Sequence, residues 1–336
     1  MNLQQRIDGF AQLGDYLNSL PIDSFTDLSD SARQENPWFT PDNVQRAISG
    51  IGFMLNRERL TAWVSRYTLR NTNPKTVGLV MAGNIPLVGF HDFLCVLLAG
   101  HNAQVKLSSK DSVLMRHVAD RLISIAPDFR SRIELHTGQL HNVHAVIATG
   151  SDNSARYFTY YFGKYPHIIR KNRTSVAILR GSESEVDLRA LGKDVFAYFG
   201  LGCRNVSKIF VPTGFEMKKL AEAWNNYAPI IHHHKYANNY DYQKSILLVN
   251  RLPFLDTGYL LLLESEKLVS PISMIYYQHY PDEITLQQWL KEAEPKLQCI
   301  VGRDNPSYIP FGMTQQPSPD MYADNADTLA FLQQLA

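Results

Sequence analysis

Apolar residues recur every three to four positions in LQQRIDGFAQLGDYL and again in VQRAISGIGFML, so residues 1–70 read as helical. Pro37 and Pro41 break the run between them, and Thr40-Pro41-Asp42 reads as a helix start. From about Lys75 the pattern changes. TVGLVMAG (76–83) is a short apolar run of β type ending at Gly83, and residues 86–99 follow as a helix. AQVKLS (103–108) predicts a second strand, followed by a helix from Asp111 to about Ile125. RIELHTG (132–138), AVIATG (145–150) and SVAILRG (175–181) predict further strands. Ser151-Asp152-Asn153 supplies good N-cap types for a helix after Gly150. A second block has the same texture. VDLRALGKDVFAYFG (186–200) and FEMKKLAEAWNNYA (215–228) predict helices; SKIFVP (207–212), SILLVN (245–250), GYLLLLE (258–264) and SPISMIYYQ (270–278) predict strands. Strands alternating with helices argue for an α/β fold of βαβ units with a parallel sheet.

Composition narrows the function classes. Of the 336 residues, 45% are apolar and 19% charged, so the chain can bury a sizeable core. Lys and Arg number 33 against 32 Asp and Glu, a net charge of +1, which argues against nucleic acid as the main partner. Three cysteines, Cys95, Cys203 and Cys299, are too few and too odd in number for a disulfide framework. The longest apolar stretch, IPLVGFHDFLCVLLAG (85–100), is interrupted by His91 and Asp92 and reads as a buried helix; no stable membrane insertion is expected. The N-terminus lacks the unbroken apolar run of a signal peptide, and the cysteine count fits a reduced, cytoplasmic compartment best.

Four segments carry candidate chemistry. Cys203 lies in YFGLGCRNVSKIFV, where a helix, a glycine-flanked turn and a strand are predicted in that order. Such a turn can leave backbone N–H groups and a cation beside the sulfur, which favours a nucleophilic thiolate. The alternative is a small buried cysteine, the reading kept for Cys95 and Cys299 within their apolar runs. Gly83-Asn84-Ile85-Pro86 ends a strand, where ligands usually bind in open α/β sheets, and Asn84 offers an amide donor there. Lys106, Ser108, Ser109 and Lys110 combine ammonium groups and hydroxyls with a helix start, which suits phosphate or ribose; a solvated cap is the alternative. Thr149-Gly150-Ser151 is a third such loop. None is a G-x-G-x-x-G or Walker loop. Adjacent side chains such as His232-His233-His234 point in different directions, so no metal is expected there. Tyr236, Asn238, Asn239, Tyr240 and Tyr242 are candidates to line an acyl or CoA groove.

Taken in order, these loops resemble the aldehyde dehydrogenase superfamily over residues 75 to about 312. Gly83-Asn84-Ile85-Pro86 resembles that family's Pro-Trp-Asn-Phe/Tyr-Pro loop, Val105-Lys106-Leu107-Ser108 its Val-Lys-Pro-Ser strand end, and Thr149-Gly150-Ser151 its Phe-Thr-Gly-Ser loop. Gly202-Cys203 followed by Lys208-Ile-Phe-Val resembles the nucleophile cysteine and the strand after it; Gly258-Tyr259 and Ser270-Pro271 resemble its Gly-Tyr/Phe and Phe-Gly-Pro segments. Within the superfamily, GNIPLVGFHDFLCVLLAG, VKLSSKD, FGLGCRNVSKIFVP, HKYANNYDYQK and DMYADNADTLAFL are similar to the acyl-CoA reductases of the bacterial luminescence fatty-acid reductase system.

The resemblance implies an aldehyde-dehydrogenase-like α/β fold: a helical N-terminal segment (1–74) packed on the cofactor domain, a Rossmann-like NADP-binding domain (75–180), a catalytic domain with the nucleophile cysteine (181–312) and a C-terminal tail (313–336). It implies reduction of an acyl-CoA to an aldehyde by NADPH. Cys203 takes the acyl group, hydride reaches the acyl-cysteine, and Asn84 with the Cys203 backbone N–H stabilises the oxyanion. Lys106, Ser108, Ser109, Lys110, Gly150 and Ser151 are the implied cofactor residues. Two departures sharpen this. Where hydrolytic relatives carry Glu-Leu-Gly-Gly-Lys, with a Glu that activates water, this chain has Arg170-Lys171-Asn172-Arg173-Thr174-Ser175 and no acid. Those cations either meet phosphates or form a solvated basic loop. Where NAD-preferring relatives often place a ribose-binding Glu, this chain has Ser109 followed by Lys110, which tilts the expectation to NADPH. The chain is far shorter than ordinary family members and shows no tetramer-building hairpin, so a monomer or homodimer is expected. A partner acyl-activating or acyl-transferring protein is a further candidate. The rival readings are a reductase of an acyl phosphate or carrier-protein thioester, and a non-catalytic nucleotide-binding protein of the same fold.

Overall fold

The computed structural model describes residues 1–69 and 73–335. Four helices come first: α1 (Leu3–Asn18), α2 (Ile22–Glu35), α3 (Pro41–Met54) and α4 (Arg57–Val64). Their starts are chemically marked. Asn2 and Gln5 form a reciprocal capping box on α1, and Thr40 caps α3 with Pro41 in its first turn. The last residue of the expected helical stretch, residue 70, lies outside the described residues.

Alternation then sets in: β1 (Thr76–Val80), α5 (Phe90–Leu98), β2 (Asn102–Lys106), α6 (Val113–Ile125), β3 (Ile133–His136), β4 (Ala145–Thr149), α7 (Asp152–Phe162) and β5 (His167–Arg170). These five strands form an all-parallel sheet in the order β3-β2-β1-β4-β5. The order reverses between β1 and β4, which opens a crevice at their C-terminal ends. Buried runs such as Val77 and Leu79 on β1 and Ala145–Ala148 on β4 fit a sheet covered on both faces.

The second sheet runs β11-β6-β7-β10-β9-β8 and is parallel except for its last pair. Its elements are β6 (Thr174–Ile178), α8 (Glu185–Phe196), β7 (Val206–Pro212), α9 (Met217–Ala223), α10 (His234–Val249), β8 (Leu255–Asp256), β9 (Leu261–Glu264), β10 (Met274–Tyr280), α11 (Glu283–Ala293) and β11 (Leu297–Val301). A last helix, α12 (Thr328–Gln333), follows. The chain divides into two compact units, Met1–Asn172 with the stretch from Gln316 onward, and Arg173–Gln315. Thus β6 pairs into the second sheet, and the C-terminal stretch belongs to the first unit, where Tyr322 accepts a hydrogen bond from Trp63 Nε1 at 2.9 Å.

The α/β fold class with a helical N-terminus agrees with the sequence, but several elements do not. Residues 245–250, expected as a strand, are the end of α10. Only Leu247 of that apolar run is buried, and it continues the helical face of Tyr236 and Tyr240; Leu248 and Val249 are exposed. The helix expected over 186–200 stops at Phe196. Tyr198 and Phe199 then adopt positive φ angles of 50° and 58°. The helix expected over 215–228 ends at Ala223 and passes into a 3₁₀ turn over 225–232 that contains Pro229.

Candidate active site

In the first unit, the expected cofactor residues lie at and beyond the C-terminal ends of β2 and β4, and Asn84, the expected oxyanion donor, lies beyond β1. The loops after β1 and β2 touch. A Cβ on Gly83 would collide with Ser108 Oγ and come within 3.1 Å of Lys110 Cβ, so only glycine permits this approach. Lys106, Ser109 and Lys110 are exposed, and Ser108 Oγ accepts from Lys110 N at 3.2 Å. Asn84 is exposed in the β1 loop. After β4, the Ser151 side chain caps α7 by accepting from Ser154 N at 3.2 Å. Gly150 is again a close approach, because a Cβ there would lie 2.8 Å from Ser154 Cβ and 2.9 Å from the Phe158 ring.

One expectation about the β2 loop needs correcting. The helix start after it is not open to a phosphate. Glu35, at the end of α2, accepts from Ser112 N at 2.8 Å, Val113 N at 3.1 Å and Ser112 Oγ at 2.5 Å. A carboxylate already occupies the first turn of α6 and would repel a second anion. The next residue, Asn36, donates to Gly83 O at 3.2 Å. The end of α2 therefore braces both loops, a role that no motif in the N-terminal helices marks.

Asp111 completes the brace. It is 2% exposed, and its Oδ2 accepts from Leu87 N at 2.6 Å, holding Leu87 at a φ of 57°. Burial pushes its carboxyl up to about 7, the nearby Glu35 charge adds to this, and the Leu87 N–H opposes it.

The Arg170–Ser175 segment also differs from expectation. Arg170 is neither a phosphate ligand nor part of a solvated loop. It is buried, pairs with both carboxylate oxygens of Asp92, and donates to Thr328 Oγ1 at 2.8 Å and to Ala323 O. Arg173 donates to Leu297 O at 2.9 Å. Lys171 alone of the three is exposed.

In the second unit, Cys203 lies in the turn between α8 and β7, at the N-terminal edge of its parallel strands. Tyr198, Phe199 and Gly200 reach this turn through three successive positive φ angles, a costly path for two aromatic residues. Asn205 is what holds it. Buried at 2% exposure, it donates through Nδ2 to Asp194 O at 3.0 Å and Ala197 O at 2.8 Å, satisfying carbonyls at the end of α8. Its Oδ1 accepts from Gly202 N at 2.8 Å. From β6, Ser175 Oγ donates to Cys203 O at 2.9 Å and lies 3.1 Å from Cys299 Sγ. The Phe199 ring packs on His233, with centroids 4.4 Å apart, and on Tyr236. Cys203 is partly exposed. Cys95 is fully buried, and burial followed by the Asp92 charge raises its thiol well above the usual range. Burial also raises Cys299.

Among the described residues, no group of three or more His, Cys, Asp or Glu could hold a metal ion, and no helix is long and apolar enough to cross a membrane. Tyr236 and Tyr240 are buried core residues of α10 rather than groove-lining ones, and Tyr240 OH donates to Asp256 Oδ1 at 2.5 Å. Tyr242 is exposed.

No family model matches the chain, and no curated protein sequence matches it. Solved structures do. Aldehyde dehydrogenase 21 from Physcomitrella patens, in complex with the reaction product succinate, aligns over 100% of this chain and 84% of its own with a TM-score of 0.68 and 11% identity. An aldehyde dehydrogenase of Mycobacterium tuberculosis complexed with NAD+ aligns over 86% of this chain and 71% of its own, with a TM-score of 0.61 and 12% identity. The NADP-dependent glyceraldehyde-3-phosphate dehydrogenase of Bacillus halodurans, complexed with NADP, aligns over 88% and 72%, with a TM-score of 0.59 and 11% identity. The architecture of this chain is that of the aldehyde dehydrogenase fold.

Proposed function

We propose that the chain is an acyl-CoA reductase that reduces a fatty acyl-CoA to an aldehyde with NADPH, through an acyl-cysteine on Cys203. The observation that carries this reading is the Cys203 turn, a partly exposed thiol on strained backbone that Asn205 and Ser175 hold from both sides. The Cys203 thiolate attacks the thioester carbonyl, and the CoA thiolate leaves and takes a proton. NADPH, when bound, would supply the hydride. Reduction leaves a hemithioacetal on Cys203 Sγ, and its collapse releases the aldehyde and returns the thiolate. The residues fit a dinucleotide. Lys106, Ser109 and Lys110 present donors at and just after the end of β2, and α7 begins at an exposed Ser151.

The test is NADPH oxidation by the purified protein on adding a long-chain acyl-CoA, with the aldehyde trapped as a hydrazone. With NADPH withheld, labelled CoA should exchange into unlabelled acyl-CoA faster than free acid appears, because Lys171 to Ser175 offer no carboxylate and Arg170 is committed to Asp92. A positioned base is typically worth about 10²–10⁴-fold in such a hydrolysis. NAD+-dependent oxidation of an aldehyde to free acid, with no acyl-CoA reduction, would overturn the reading.

Cofactor choice makes a separate prediction. Ser109→Glu should raise the NADPH Michaelis constant and spare NADH, since a carboxylate beside a dianionic phosphate costs about 1–3 kcal/mol, roughly 5- to 150-fold. An equal change for both cofactors would remove Ser109 from the phosphate site.

A further inference from the structure

Two register slips meet at Ser175. On one side, β11 advances from Leu297 to Cys299 while β6 advances from Thr174 to Ser175, so Gln298 is the extra residue. On the other, β7 advances from Val206 to Lys208 while β6 advances from Ser175 to Val176, so Ser207 is extra. Bulges are rare in parallel ladders, and they re-aim a side chain or end a pairing. Both extra side chains have polar destinations. Ser207 Oγ donates to Leu268 O at 2.9 Å. Gln298 Oε1 lies 4.0 Å from Cys203 Sγ. Gln298 is 4% exposed and follows the buried Leu297, so the bulge breaks the in–out alternation to carry an amide inward. A buried amide is costly unless its polar atoms are used.

We propose that Gln298 is a positioning residue for Cys203, holding the thiol in one orientation and serving both of its protonation states. The proposal rests on the reading of Cys203 as nucleophile, since a nucleophile must pass between thiol and thiolate. As oriented, Oε1 accepts from S–H. Turned about its terminal torsion, the same amide donates Nε2–H to S⁻. A carboxylate can only accept and an ammonium can only donate, whereas a neutral amide carries both an acceptor and a donor and suits both states. Among the described residues, titratable groups lie beside the Cys203 turn on several elements. Arg204 follows in the chain, Cys299 sits across Ser175, Asp194 lies behind Asn205, and His233 stacks on Phe199. Arg173 is held at Leu297 O, one residue from Gln298.

The test uses the full chain carrying Cys299→Ala, so that the neighbouring thiol is silent. The rate of Cys203 alkylation by iodoacetamide is followed against pH by peptide mass, with Gln298 intact, as Gln298→Glu and as Gln298→Met. The glutamate should move the alkylation midpoint up by about one unit or more, which is roughly a tenfold slower reaction at pH 7. The methionine, of similar shape and without an amide, should move it up by less. Acyl-CoA reduction should lose kcat in both, with the NADPH Michaelis constant unchanged. The readout needs no substrate, so it separates the two ideas. If the midpoint shifts while Cys203→Ala still reduces acyl-CoA, the positioning role stands and the nucleophile reading falls. If neither Gln298→Glu nor Gln298→Met moves the midpoint, the proposal is wrong whatever Cys203 does.

Discussion

Cys203→Ala is expected to abolish both aldehyde formation and covalent labelling by radioactive acyl-CoA, with activity falling by on the order of 10³-fold or more. The fold should survive. The bonds that shape the turn use the backbone of Gly202 and Cys203 and the side chains of Asn205 and Ser175, none of which the substitution removes. Cys95→Ala should keep its labelling, because that thiol is sealed inside α5 and burial disfavours its thiolate. Cys299→Ala should also keep it. Cys299 is the more demanding control, since it lies one hydroxyl away from the Cys203 turn and an acyl group could migrate to it. Full labelling of the Cys203→Ala protein, recovered on the Cys299 peptide, would move the nucleophile to β11. Full labelling on neither would remove cysteine chemistry from the proposal.

The contrast between what was legible and what was not follows from the range of the interactions. β1 and β4 could be read because TVGLV and AVIAT are predominantly apolar runs of five residues with a glycine within three residues of their ends, and that signal is local. The failure at residues 245–250 is also local. An apolar run of four residues does not distinguish strand from helix, and the deciding clue was the spacing of Tyr236, Tyr240 and Leu247 along one helical face. The supports of the candidate site left no such clue. Glu35 meets Ser112 across 77 positions of sequence, and Gln298 approaches Cys203 across 95. Neither carries a motif, and each is an ordinary polar residue until the sheets form. Asn205 is the intermediate case. It stands two residues after Cys203, close enough to notice, but its work of closing the end of α8 is visible only once that helix is seen to stop at Phe196. A family resemblance singled out Cys203 as the candidate nucleophile; three-dimensional contacts show what holds its turn.

Arg170→Met is expected to cost about 3–5 kcal/mol of folding stability at pH 8, the usual penalty for breaking a buried ion pair by removing one partner. The Arg170 side chain is 3% exposed and that of Asp92 12%. Burial works to lower the Arg170 pKa, and the Asp92 charge more than reverses this, so the guanidinium stays charged. Methionine fills much of the volume but leaves the Asp92 carboxylate, Ala323 O and Thr328 Oγ1 without their donor. In the variant, the lone buried carboxylate should have a folded-state pKa raised above its unfolded value of about 3.9. A raised carboxyl pKa gives stability that is present below the unfolded value and is lost as pH rises through the folded one. The deficit relative to wild type should therefore be smaller at pH 5 than at pH 8, and urea midpoints at the two pH values measure it. Arg170→Met with Asp92→Leu should recover most of the loss, because two apolar groups replace the pair. Lys171→Met, at the exposed neighbour, should stay within about 0.5 kcal/mol of wild type. If Arg170 were instead a phosphate ligand, its loss would weaken NADPH binding and leave the urea midpoint unchanged at both pH values.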